Sequence, residues 1–184
     1  DIIMKIVVIV MLSVFLATSC FATRVMEDTE AIKKLMPGIE GSPEEVVVAL
    51  TPELIAAVNS RAGIEKLKDE KEIRFLVGKK EGKVTVVCVK DIEAGKWGPI
   101  EYMVAMDPEK KIVSDIVVLA HEEARGKMIT QRKFLDQLKG VSLQNTLEVG
   151  KDLKGITGAT VTSKSLGPAA KNSLILMDVL YNKH

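Results

Sequence analysis

The chain has 184 residues, 47% hydrophobic and 28% charged, which is ordinary globular material with enough apolar content for one domain with a proper core. Its 26 basic and 25 acidic side chains leave a formal charge of +1, with the signs interspersed, so no polybasic face argues for a nucleic-acid partner. The histidines, His121 and His184, are too few and too far apart to make a metal-ligand set.

Residues 1–22 read as an export segment. Met4, taken as the start, and Lys5 precede an apolar run from Ile6 to Ala17 and then small residues, the layout of a bacterial signal. Three fates fit it. Leu16-Ala17-Thr18-Ser19-Cys20 is similar to a lipobox with Cys20 as the residue to be acylated; cleavage after Ala22 is the second; an uncleaved membrane anchor is the third. All three place the rest of the chain outside the cytoplasm and, for the first and third, on a membrane.

Next comes a helical stretch, EDTEAIKKLMPG, closed by Pro37-Gly38, then a strand in SPEEVVVAL. TPELIAAVNSRAG carries helix grammar at both ends: Thr51 to cap, Pro52 at the first helical position, Gly63 where a helix stops. The period then changes. EIRFLVGKK and GKVTVVCVKD are joined through Lys80-Glu81-Gly82, and PIEYMVAMD and KIVSDIVVLAH through Asp107-Pro108-Glu109-Lys110. Four strands with hairpin-length connections, preceded and followed by helices, predict an α+β fold with a twisted antiparallel sheet flanked by helices. Residues 23–78 are expected to pack as a helical and strand region on a principal domain of residues 79–184.

Beyond the sheet, QRKFLDQL predicts a short helix ended by Gly140, and a final helix is expected from about Pro168 to Tyr181, with Pro168 in its first turn. That would put the hydroxyl-rich run Thr157-Gly158-Ala159-Thr160-Val161-Thr162-Ser163 just ahead of a helix N-terminus. Unpaired N–H groups and a partial positive charge at such an end favour a phosphate, Gly158 allows close approach, and the hydroxyls add donors. A plain helix cap uses the same residue types.

TGATVTS resembles the flavinylation motif of the FMN-binding domain family, which includes the FMN-carrying subunits of the Rnf and Na+-translocating NADH:quinone reductase complexes. The resemblance extends further: AGKWGPIEYMVAMDPEKKIVSDIVVL looks like the family's glycine-led strand pair, HEEARGKMITQRKFLDQLKG like its Glu-x-Arg-Gly segment and Phe-Leu-x-Gln helix, and LTPELIAAVNSRAG like the upstream region of small exported members. It implies that residues 79–184 are an FMN-binding domain. It also implies that a flavin transferase joins the FMN phosphate to Thr160 as a phosphoester, with Thr157, Gly158, Ala159, Thr162 and Ser163 around it. One departure stands out: Lys154 occupies the position, six before the acceptor, where the motif usually carries aspartate, and Asp152 lies two residues earlier.

Glu123 and Arg125 match the polar segment and read either as flavin neighbours or as a surface ion pair. Trp97 reads as a core plug or as a ring stacked near the flavin. Met103, Met106 and Met128 read as packing residues, Cys88 as a small buried thiol, and His121 as structural or exposed. No catalytic residue is assigned. No nicotinamide-binding glycine fingerprint follows a strand, so the resemblance implies an extracytoplasmic, membrane-associated carrier relaying electrons between redox partner proteins. A small flavin reductase acting on a quinone, metal or organic acceptor is the alternative, and a non-redox lipoprotein with a merely capped helix is the third reading.

Overall fold

A computed structural model describes residues 23–63, 65–122, 126–151, 153–155 and 160–182. Six strands form one antiparallel sheet in the order β1-β6-β5-β4-β3-β2. In chain order they are β1 (Thr23–Arg24), β2 (Glu44–Ala49), β3 (Glu72–Lys80), β4 (Lys83–Ala94), β5 (Pro99–Asp107) and β6 (Ile112–His121). The expected α+β class is the observed one, and β1 is an addition: two residues pair with the end of β6, Thr23 opposite His121. So short a strand has no periodicity to read.

Period-2 alternation sends β-strand side chains to opposite faces, and both faces are apolar. On one, Val86, Cys88, Met103, Ala105, Val117 and Leu119 meet α1 (Asp28–Leu35) through Ala31 and Leu35. On the other, Phe75, Val87, Val89, Tyr102, Val104 and Ile116 meet α2 (Pro52–Ala62) and α4 (Thr160–Leu176) through Val58, Leu166, Ala169 and Ala170. The sheet is thus a middle layer. Burying each such aliphatic side chain contributes about 1.5–3 kcal/mol.

Local signals set α2 at both ends. The Thr51 hydroxyl accepts from the Leu54 N–H at 3.3 Å, Pro52 opens the helix, and Gly63 closes it at φ 69° with its N–H on the Asn59 carbonyl. Left-handed backbone there suits a residue without Cβ.

The final helix departs from expectation. It begins at Thr160, not near Pro168, runs 17 residues with Pro168 inside it, and ends in a π turn, Met177–Tyr181. Pro168 cannot donate to the Lys164 carbonyl, but Lys164 and Pro168 both lie on the exposed side, where the carbonyl is open to water. Packing outweighs the break. A Cβ on buried Gly167 would stand 2.6 Å from Leu153 Cδ1 and 3.3 Å from the Leu147 carbonyl oxygen, so the pair that reads as a helix breaker is where α4 presses against the preceding connection. Lys171 Nζ donates to the Asn145 carbonyl at 2.8 Å, and at the far end Asp178 pairs with Lys111 and Arg61, both at 2.6 Å.

The outer edge of β6 is occupied along its length. Val113 exchanges backbone bonds with Val141 and Gly140, both 2.8 Å, and Val25 N–H donates to the Leu119 carbonyl at 2.7 Å. Arg132 Nη1 donates to the Ile116 carbonyl at 3.1 Å. These bonds hold α3 (Arg132–Leu135) and the 3-10 turn Asp136–Leu138 against β6, which fixes one wall of a cavity beside Lys154 and Gly155.

Candidate flavin site

The hydroxyl-rich run is bracketed by two well-anchored pieces. Before it, Leu153 is buried and its N–H donates to the Glu148 carbonyl at 3.2 Å, while its own carbonyl accepts from Gly150 at 2.8 Å. Lys154 is clasped by one side chain: its N–H donates to Gln137 Oε1 at 2.8 Å, and its carbonyl accepts from Gln137 Nε2 at 3.2 Å. Within the run, α4 starts at Thr160 and continues beyond it. The first N–H groups of a helix lack intrahelical partners and sit at its positive end.

Beside Lys154 and Gly155 opens a cavity of about 560 Å³, lined by Met128, Gln131, Lys133, Phe134, Gln137, Lys154 and Gly155. Phe134 is buried and Met128 half-buried, giving an apolar floor; the two lysines and two glutamines supply donors at the rim. On the α3 segment the cations divide. Arg132 reaches Asp115 and Asp136, both at 2.6 Å, and Lys139 reaches Asp136 at 3.0 Å. Lys133 and Lys154 form no ion pair with a carboxylate among the described residues.

Residues 95–175 match the family model described as the FMN-binding domain. The match covers β5, β6, the α3 segment and nearly all of α4, and so both walls of the cavity. The fold is similar to NqrC of Shewanella oneidensis, at 18% identity and a TM-score of 0.57 over 77% of this chain and 83% of that one. It is also similar to the corresponding component of the Na(+)-translocating NADH-quinone reductase of Parabacteroides distasonis, at 19% identity and a TM-score of 0.52 over 76% of each. At these identities the likeness is one of fold. No curated protein matches the sequence.

The lining of this cavity suits FMN. FMN joins a flat ring, apolar along one edge and polar along the other, to a phosphate; apolar floor, amide and ammonium rim, and adjacent helix start offer partners for each part. Of the residues singled out from sequence, Cys20, Glu123, Arg125, Asp152, Thr157, Gly158 and Ala159 lie outside the described residues. Thr160, Thr162 and Ser163 are described as backbone of the first turns of α4, inside the helix instead of ahead of it.

Trp97 corrects its core-plug reading. It is 60% exposed in the β4–β5 connection, with Lys96 Nζ 4.9 Å from the ring centre. A lone tryptophan between Lys96 and Gly98-Pro99 has no apolar neighbours in sequence, and the turn carries it away from the sheet. His121 is buried at the end of β6, and Met103 and Met106 are core residues; Met128 packs half-buried against the core and also lines the cavity. Burial pushes the Cys88 thiol up to about 12, leaving it protonated and inert. Gln137, Lys133 and Phe134 were not among the sequence candidates, although Phe134 and Gln137 sit in the Phe-Leu-x-Gln stretch that carried part of the resemblance.

Among the described residues no helix is long and apolar enough to cross a membrane, and no group of three or more histidine, cysteine or acidic residues is placed to hold a metal ion.

Proposed function

We propose that this chain carries FMN as a phosphoester of Thr160 and relays electrons between redox partner proteins on the extracytoplasmic side of a membrane. The observation that carries the reading is the coincidence of the FMN-binding match over residues 95–175 with a helix that starts at the acceptor itself, Thr160. Attachment transfers FMN phosphate to the threonine hydroxyl, FAD serving as donor and AMP leaving, under a flavin transferase. The bound flavin supplies one- and two-electron chemistry. The chain's own tasks are different: α4's first N–H groups would hold the phosphate, Phe134 and Met128 would cover apolar ring surface, and Gln137 holds Lys154, on the approach to the acceptor, in one position. A cofactor that cannot dissociate stays at full local concentration in a compartment without free FMN. Residues 1–22 bring the domain to the membrane through a lipid on Cys20 or an uncleaved anchor; palmitate labelling that survives in Cys20→Ala would sink the lipid version.

The decisive experiment is co-expression with a flavin transferase. The wild type should stay yellow after denaturation and gain the mass of one FMN less one water on the peptide containing Thr157 to Ser163. Thr160→Ala should lose the flavin, while Thr162→Ala and Ser163→Ala keep it. Modification that persists in Thr160→Ala and vanishes in Thr162→Ala would move the acceptor.

A further inference from the structure

Lys133 and Lys154 come from segments 21 positions apart, yet one side chain holds both: Gln137 clasps the Lys154 backbone at 2.8 and 3.2 Å, and its Nε2 stands 3.5 Å from the Lys133 carbonyl oxygen. Both lysines line the same cavity. The neighbouring cations show what compensation looks like here, since Arg132 and Lys139 are taken up by Asp115 and Asp136 on the β6 side. Two lysines therefore line an apolar-floored cavity on backbone that Gln137 braces, next to the segment that leads to Thr160, and neither has a carboxylate partner among the described residues. An uncompensated pair of cations favours whichever state of a neighbouring group bears more negative charge.

Resting on the FMN reading above, we infer that Lys154, with Lys133, is a potential-setting residue that raises the reduction potential of the flavin held beside it. Two electrons and one proton from a reductant, a partner protein in the cell or dithionite in the test, convert the neutral oxidised ring into a reduced ring with one negative charge. The phosphate keeps its charge throughout, so only the ring's new charge enters the difference. The two lysines stabilise it and shift the equilibrium toward reduction. Lys154 acts as a cation on a braced backbone: its position follows from Gln137, its effect from its charge.

The test is a potentiometric titration with dithionite of the full chain, flavinylated by co-expressed transferase, in wild type, Lys154→Gln, Lys154→Asp, Lys133→Gln and, as a control at the start of β4, Lys83→Gln. At low salt Lys154→Gln should lower the equilibrium constant for reduction about tenfold, or roughly 30 mV for a two-electron couple. Lys154→Asp should lower it further, Lys133→Gln should move it the same way, and Lys83→Gln should leave it unchanged. In about 1 M salt the differences should shrink, because the Debye length falls to about 3 Å. If Lys154→Asp does not accept flavin, the two glutamine variants decide. Potentials that do not move in the position 154 and 133 variants overturn the inference while leaving the FMN reading intact; a wild type that stays colourless with a transferase competent on other substrates overturns both.

Discussion

Gln137 and Lys154 are joined by two hydrogen bonds that run in opposite directions, the side-chain amide accepting from the Lys154 N–H at 2.8 Å and donating to its carbonyl at 3.2 Å. A glutamine used this way imitates one rung of a β-ladder, and it closes the gap between α3 and the strand-like approach to the acceptor. Lys154 is exposed, so water can replace either bond and the net contribution is modest, about 1 kcal/mol. The effect on function comes from position more than from stability.

Gln137→Ala should therefore fold, lose about 1 kcal/mol, and show faster hydrogen exchange at the Lys154 amide, with a lower yield of covalent flavin. Gln137→Glu retains the acceptor and should restore protection of that amide in part. Unchanged Lys154 exchange in Gln137→Ala would mean that the clasp does not hold the segment.

Gly167→Ala pits two effects against each other. Replacing glycine inside a helix gains about 1 kcal/mol of propensity, whereas a Cβ at 2.6 Å from Leu153 Cδ1 and 3.3 Å from the Leu147 carbonyl overpacks the contact at a cost of about 1–3 kcal/mol. Backbone lies on one side of the clash, so overpacking should win. Urea denaturation of the flavin-free protein should show a net loss near 1 kcal/mol, and a more stable variant would show that the 147–153 connection yields freely.

Asp178 makes stability depend on pH in the acid range. Hydrogen bonding from Lys111, then from Arg61, holds its carboxyl at about 2, below the usual 3.8. A depressed carboxyl stabilises the fold when ionised, so its contribution is complete above about 4 and is lost as pH falls from there toward 2. Asp178→Asn should be less stable than wild type by about 1 kcal/mol at neutral pH, and the two unfolding curves should converge toward pH 2. A constant difference across that window would assign the cost to packing instead.

Thr160→Ala separates chemistry from folding. Because the core, the sheet and the ends of α2 are built from other residues, the variant should fold with a loss of at most about 1 kcal/mol and should be colourless after co-expression with the transferase. Comparison with unflavinylated wild type by thermal unfolding checks this. A collapse of the midpoint would make the threonine chiefly structural.

What the residues determine by themselves is local. Thr51, Pro52 and Gly63 set both ends of α2 within a dozen positions, and alternation with short turns set four strands of the sheet, because caps, turns and side-chain faces depend on neighbours one to four residues away. The TGATVTS run named a family for the same reason: its chemistry is contained in seven consecutive residues. The start of α4 was different. Gly167-Pro168 reads as a helix boundary on propensity alone, and only contact with Leu147 and Leu153, 14 to 20 residues back, carries the helix through it to begin at Thr160. Trp97 was placed in the core by its size and on the surface by its turn. The cavity, the brace of Gln137 on Lys154 and the separation of Lys133 from its paired neighbours exist only once β6 has drawn the α3 segment along its edge, since partners many residues apart leave no pattern in a single chain until backbone bonds bring them together.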